Sequence, residues 1–385
     1  MPILDKMFSA FKGGGGSSAP LSGGALPGWM PAFIDRSCPA PYQYEQAVRT
    51  GFLSNPIAQR AVRIVAEGVG QAPITGADSE LIALVNATSA GQSLVETVAA
   101  HILLHGNGYV QIVKDASGRP VELFALRPDR VKVIPGENGW PSAYEYAVGG
   151  EKVVLPIEDE GGWPSIIQIK AMHPLNDHMG ASALEAAAQA VAIHNAASQW
   201  NRSLLENAAR PSGALVYEGG DSAGLTHDQF ERLKSELETA FSGSGNAGRP
   251  MLLDGGLRWQ SMAMSPADMD FATLKSAAAR EISLAFGVPP MLLGLPGDNT
   301  YSNYREANRA LWRLTLLPLA SKLFTAIEEG LAPWFPTGNL CVDLDQVTAL
   351  SEDRERLWKQ VSDADFLSRA EKRQLLGFPE QGDGN

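Results

Sequence analysis

Residues 181–209 read ASALEAAAQAVAIHNAASQWNRSLLENAA, with 11 alanines among 29 positions and neither glycine nor proline. Alanine loses no side-chain entropy in a helix, so the run predicts one unbroken helix, roughly 43 Å long at 1.5 Å per residue. Small side chains let neighbouring backbones approach closely, while Trp200, Leu204 and Leu205 add anchors near one end, and Pro211 stops the helix. A second long helix opens at Ser265-Pro266, an N-cap followed by proline at the first helical position, and runs to Phe286. The residues between, 212–262, read as a separate module. A strand at Ala214–Tyr217 leads to a helix capped at Thr226 and running to about Phe241. A hairpin-like pair follows, Pro250–Leu253 and Leu257–Met262, joined through Asp254-Gly255-Gly256. Two long helices thus bracket a small α/β insertion, a rod with a knob on its end.

On the N-terminal side, residues 13–31 have linker composition, and ordered structure is expected from near Tyr42. The stretch 55–70 opens at Asn55-Pro56 and repeats Ile57, Ala61, Ile64 and Val65 at helical spacing. Another helix at about 93–105 ends at Gly106, as a C-terminal glycine requires. Short β-rich runs follow at Tyr109–Lys114, Val121–Leu126, Val131–Pro135 and Tyr144–Val148, read as one small antiparallel sheet, with a further strand at Ile166–Met172. On the C-terminal side a third long helix spans about Ser302–Glu329, and Pro318 inside it predicts a kink. The loop from Gly287 to Tyr301 has three glycines, three prolines and apolar residues, which suits a constrained loop. A short charged helical hairpin occupies about 349–377. The fold class is α+β.

A chain of 385 residues exceeds one ordinary core, so two or more packed units are expected. Its 43 acidic against 31 basic side chains give a formal net charge of -12. That balance argues against ordinary DNA binding, which clusters Lys and Arg on phosphates, yet allows a protein that surrounds DNA without gripping it. Cys38 and Cys341 stand far apart without metal-ligand spacing, so a reducing compartment is expected. No uninterrupted apolar run reaches the roughly 18 residues of a membrane span, and no membrane partner is expected. In the N-terminal arm, Ile3, Leu4, Met7, Phe8 and Phe11 would line one face of a short helix, either a loosely ordered terminus or a docking element.

Enzyme signatures are sparse. Gly243-Ser-Gly-Asn-Ala-Gly248 matches G-x-G-x-x-G, but it leaves a helix and enters a strand, the reverse of a dinucleotide site. Gly13–Gly16 lacks the Gly-Lys-Ser/Thr of a phosphate loop. His101 and His105 lie four apart on a helix without a metalloprotease glutamate, and His173, Asp177 and His178 share one loop. A cytoplasmic nucleotide- or metal-dependent enzyme built on the glycines or these histidines is therefore the alternative reading. No cofactor is expected. Arg305, Arg309 and Arg313, at four-residue intervals, form a basic stripe. With Lys275 they are candidates for a solvated face, intersubunit salt bridges or phosphate contacts. The Ala-rich helices are expected to bury against copies of themselves, with Ala190, Ala197 and Trp200 as self-association residues.

Several segments, in order, resemble the portal family of long-tailed phages, most closely the portals of alphaproteobacterial gene-transfer agents. They are Gly106-Asn-Gly-Tyr-Val110, Leu126-Arg-Pro-Asp-Arg-Val-Lys-Val133, His194-Asn-Ala-Ala-Ser198 and Asn207-Ala-Ala-Arg-Pro-Ser-Gly213. They continue with Asn246-Ala-Gly-Arg-Pro-Met-Leu-Leu253, Phe286-Gly-Val-Pro-Pro-Met-Leu-Leu-Gly294, Thr300-Tyr-Ser-Asn303, Asp343-Leu-Asp-Gln346, Ala364-Asp-Phe-Leu367 and Glu371-Lys-Arg373. The likeness runs from about residue 45 to 378.

The resemblance implies a non-enzymatic subunit of a dodecameric ring at one capsid vertex, a conduit for double-stranded DNA without sequence specificity. Its implied partners are the major capsid protein, the terminase and the head–tail adaptor. Carried onto this chain, 1–39 is an arm and linker, 40–180 the first part of the wing, 181–210 and 265–287 the stem helices, and 211–264 the clip. Residues 288–301 become the tunnel loop, 302–345 the kinked wing helix and strand, and 346–385 a crown that is short for the family. In the tunnel loop Met291, Leu292, Leu293, Asp298, Asn299 and Tyr301 would line the channel, although the apolar triplet could equally pack into the wing core. In the clip, Glu218, Arg249, Arg258 and Trp259 would dock partners.

Overall fold

Asn55 begins the first long helix of the computed structural model. Its side-chain oxygen accepts hydrogen bonds from the backbone N–H groups of Ile57 and Ala58, both at 3.0 Å, and Pro56 occupies the first turn. The structure describes residues 43–89, 91–206, 213–217, 226–228, 230–232, 234–235, 257–261, 271–296 and 300–376. The arm and linker, residues 207–210, the strand Pro250–Leu253, the start Ser265-Pro266 and the tail beyond 376 lie outside the described residues.

Helix α1 (Tyr44–Ala47) continues into a π-helical turn, Val48–Leu53, before α2 (Pro56–Gly70). Helix α2 buries Ala58, Ala61, Val62, Val65, Ala66 and Val69, the three-and-four spacing of one helical face. After β1 (Ile74–Thr75), α3 (Ser79–Asn86), β2 (Thr88–Ser89) and β3 (Gln92–Ser93), the chain enters α4 (Leu94–His105). Gly106 closes α4 in the left-handed region at φ 82°.

The strands that follow are β4 (Asn107–Lys114), β5 (Pro120–Leu126), β6 (Val131–Pro135), β7 (Pro141–Val148), β8 (Glu151–Pro156) and β9 (Ile166–Lys170). They form two antiparallel sheets, ordered β5-β4-β9 and β6-β7-β8, rather than the single sheet expected. Strand β8 escaped the sequence pattern because Val153 and Val154 are both exposed, so its apolar residues do not alternate with the pleat. Tyr109, Leu126, Val131, Tyr144 and Ile166 make a small second core where the sheets meet.

The alanine-rich run forms α5 (Ala183–Ala186) and α6 (Ala188–Glu206), not one unbroken helix. At Ala187 the backbone turns through φ -81°, ψ -7°. The turn sends both Leu184 and Ala187 into the core, each 1% exposed. Strands β10 (Gly213–Tyr217) and β11 (Leu257–Ser261) pair antiparallel, Gly213 opposite Ser261. Helix α7 (Phe271–Ala285) then packs along α6.

The third long helix runs as α8 (Tyr301–Leu311), a π-helical turn (Trp312–Leu316) and α9 (Leu317–Leu331). A π turn stands immediately before the turn that holds Pro318, where the sequence predicted a kink. Proline sits in the first turn of α9, and the wider turn before it accommodates the missing N–H. Ala320, Leu323, Phe324, Ile327 and Leu331 of α9 reach the main core with the buried face of α2 and much of α4. Burying each of the larger side chains contributes roughly 1.5–3 kcal/mol. Among the described residues, the helix 302–331 is long and apolar enough to cross a membrane by length and composition. That stretch tolerates Arg313 and Lys322, which is why an uninterrupted apolar run was not seen in it. Strand β12 (Cys341–Val342) pairs with β1. The chain closes on α10 (Ser351–Asp363) and α11 (Arg369–Leu375), the charged hairpin.

Candidate channel and assembly surfaces

Three side chains join the α/β part of the chain to α6. Asn55 is 1% exposed, and its Nδ2 donates to Asn195 Oδ1 at 2.9 Å and lies 3.2 Å from His194 Nδ1. Asn195 Nδ2 donates to the carbonyl of Thr50 at 2.8 Å. Burial, with Lys275 nearby, lowers the pKa of His194 and holds it neutral. A second junction uses Gly106-Asn107. Asn107 Oδ1 accepts from Gly180 N at 2.9 Å, and a Cβ on Gly106 would overlap the Gly180 carbonyl. Two of the quoted motifs therefore hold the base of the α6 helix in place.

Helices α6 and α7 run antiparallel: His194 lies near Lys275, and α5, eight or more residues earlier, still packs on α7. Ala190 and Ala197 are buried within the single chain, as are Ala278 and Ala279 of α7. A substitution at either α6 alanine therefore acts on the fold of one subunit before it acts on contacts between subunits. Trp200 is 46% exposed, and Lys275 is half-buried.

The loop after α7 begins with Gly287 at φ 64°, followed by buried Val288. Pro290–Leu293 form a 3-10 turn closed by Gly294 at φ 73°. Leu292 and Leu293 pack against the main core and Met291 is half-buried, so this part of the loop is an anchored base. The packed-core alternative describes the two leucines, because a tight turn beside α7 and α8 brings them onto apolar neighbours. Asp298 and Asn299 lie outside the described residues, and Tyr301 is the first residue of α8.

The arginine stripe meets acids of its own chain. Arg305 Nη1 reaches Glu352 Oε1 at 2.5 Å and Arg309 Nη2 reaches Glu352 Oε2 at 2.6 Å. Arg309 also pairs with Glu306 at 3.0 Å, and Arg313 lies 3.9 Å from Asp353. The hydrogen bond from Arg309, helped by Arg305, holds the Glu352 carboxyl below its usual range. Glu352 and Asp353 occupy the first turn of α10. Within the single chain this network is a salt-bridged face. Arg313, 64% exposed, retains most of its contact with solvent.

In the β10–β11 pair Arg258 is exposed and Trp259 stands opposite Leu215 in the register. Glu218, Arg249 and the Gly243–Gly248 motif lie outside the described residues. Among the described residues, no three of His, Cys, Asp and Glu are grouped to hold a metal ion. Burial lowers the His101 pKa to about 4, reinforced by His105, whose ring packs edge-on to Tyr44 at 4.9 Å. His173 and His178 line an open cleft of about 650 Å³ with Trp140, Lys170 and Lys322. Sequence reasoning missed Glu352 and Asp353 as partners of the arginines, Asn55 as the partner of Asn195, and Thr315, whose Oγ1 donates to the Gly287 carbonyl. Only the opposite charge at the start of the C-terminal hairpin could have signalled the first two.

Comparison with known proteins places the chain in a family. The family model described as "Phage portal protein" matches residues 56–377. An uncharacterized protein of Rickettsia bellii (strain RML369-C) is 39% identical over 365 residues, covering 89% of this chain and 92% of its own length. A chain in the virion of a native gene transfer agent particle is 48% identical with a TM-score of 0.68, over 89% of this chain and 95% of that one. A chain in the neck of a native particle of this kind, computed with C12 symmetry, is 47% identical with the same TM-score and coverage.

Proposed function

The chain belongs to the phage portal protein family, and from that premise we propose that it forms a twelve-subunit ring at one vertex of a gene-transfer particle or phage capsid. Through the ring, double-stranded DNA enters during packaging and leaves at ejection. The terminase and then the head–tail adaptor dock on the clip, and the major capsid protein surrounds the wing. Assembly takes place in the bacterial cytoplasm. The observation that carries this reading is the antiparallel pair α6 and α7, which brackets an inserted module, in a chain 48% identical to one in a gene transfer agent virion.

The chemistry suits a conduit. Each phosphate contact that DNA leaves behind releases and rebinds counterions, so a strongly basic wall would act as a brake. A net charge of -12, with the arginines of α8 already paired to acids of α10, leaves a weakly attractive lining. Residues 297–299, beyond the anchored base Pro290–Leu293, are the part of the loop assigned to the channel. Asp298 there would repel passing phosphates. In this role the chain is a structural ring, and energy for packaging comes from the terminase.

The test is the DNA content of particles made with Asp298→Lys. Heads should assemble normally and hold less DNA than those with the unaltered chain. Normal DNA content would remove Asp298 from the channel. Normal packaging in cells that lack this chain altogether would remove the portal role.

A further inference from the structure

A cyclic ring joins unlike faces of neighbouring subunits, and it closes only if both faces lie at the same height along the ring axis. This inference rests on the ring reading above and identifies those faces. One is apolar and prominent: Leu284 on α7 is 80% exposed, and Leu314 in the π turn is 77% exposed. The backbones that carry them are tied through Gly287, whose N donates to the Leu284 carbonyl while Thr315 Oγ1 donates to the Gly287 carbonyl at 2.6 Å. Both sit on helical backbone tied at that point, so they form a fixed projection.

The other face is a groove of about 380 Å³ between the π turn at Val48–Leu53 and α6, lined by Ala47, Gly51, Leu184, Ala188, Ala192 and Ala196. Its polar lining is Gln46, Thr50, Asn195 and Gln199, with no charged group, so an apolar occupant displaces no ion from water. Because α6 and α7 are antiparallel, the Leu184–Ala188 end of the groove lies level with the Leu284 end of α7. With α6 and α7 taken along the ring axis, as the ring reading has them, projection and groove meet the height condition. We propose that Leu284 and Leu314 of one subunit insert into the groove of the next, and that this contact sets the direction in which the ring closes.

The experiment uses full-length chains in a Cys38→Ser, Cys341→Ser background, one carrying Leu284→Cys and the other Ala188→Cys. Both positions are exposed in the single chain, so each variant keeps its core. Rings assembled from an equal mixture are treated with a short bismaleimide. The expected result is a cross-linked dimer in the mixture and none in either variant alone. Intact rings without that dimer overturn the proposal and leave the ring reading standing. Absence of rings from the unaltered chain overturns both. Protection of the Ala188→Cys thiol in single subunits, relieved by deleting residues 1–12, would seat the N-terminal arm in the groove and also overturn the proposal.

Discussion

Thr315 Oγ1 donates a 2.6 Å hydrogen bond to the carbonyl of Gly287, tying the π turn of the long helix to the end of α7. Thr315→Val removes that bond with little change of shape and should cost about 1 kcal/mol. Gly287→Ala should cost more. Gly287 holds φ 64°, and a Cβ there would approach Thr315 Oγ1 to 2.7 Å. Denaturant midpoints of the two variants check the order. Equal midpoints, or a Thr315→Val protein as stable as the unaltered one, would contradict this coupling.

Arg309 and Glu352 hold the C-terminal hairpin to the long helix at 2.6 Å. Glu352→Gln should loosen α10 and α11 and leave the main core alone. Hydrogen exchange should accelerate in peptides covering 351–375, with peptides from α2 and α4 unchanged. Unchanged exchange in the hairpin would make this network a surface decoration.

Gly106 meets Gly180 backbone to backbone. Gly106→Ala adds a Cβ that overlaps the Gly180 carbonyl at a residue already held at φ 82°. The expected loss is about 3 kcal/mol or more, beyond the usual cost of a helix-closing glycine near 1 kcal/mol. Thermal unfolding of the variant checks this, and a loss near 1 kcal/mol would mean that the two backbones can move apart.

Acid should destabilise the chain partly through its buried and half-buried histidines. His101, His105 and His194 all have pKa values lowered below the ordinary 6.5, chiefly by burial. A base with a lowered folded pKa binds fewer protons folded than unfolded, so its stabilisation is full above 6.5 and is lost on acidification. For His101 the loss continues down to about pH 4. Denaturant midpoints should fall between pH 7 and pH 5, and less steeply in His101→Asn. Identical slopes in both proteins would remove His101 from the effect.

Helix boundaries were legible where a single residue type enforces them. Asn55 caps α2 and Gly106 closes α4, and both positions were read from local chemistry. Features set by tertiary packing were not. The break at Ala187 carries no glycine or proline, since the turn serves the burial of Leu184. Nor could the spacing of Arg305 and Arg309 show that Glu352, 43 or more residues later in the chain, is their shared partner. Likewise, the apolar triplet Met291–Leu293 gave no sign from composition of whether it projects or anchors; in the single chain Leu292 and Leu293 are partly buried against the main core. The two long helices bracketing a module were legible because alanine content and proline stops are local signals, whereas the burial of Ala190 and Ala197 within one chain was not.

The central claim is that this chain works as a ring. Native mass measurement of the purified full-length protein, with electron micrographs of the same sample, tests it most directly. The account predicts a closed ring with a central channel and a mass about twelve times the 41.1 kDa of one chain. A particle that stays at the mass of one chain at every concentration, with no rings in the micrographs, would contradict it.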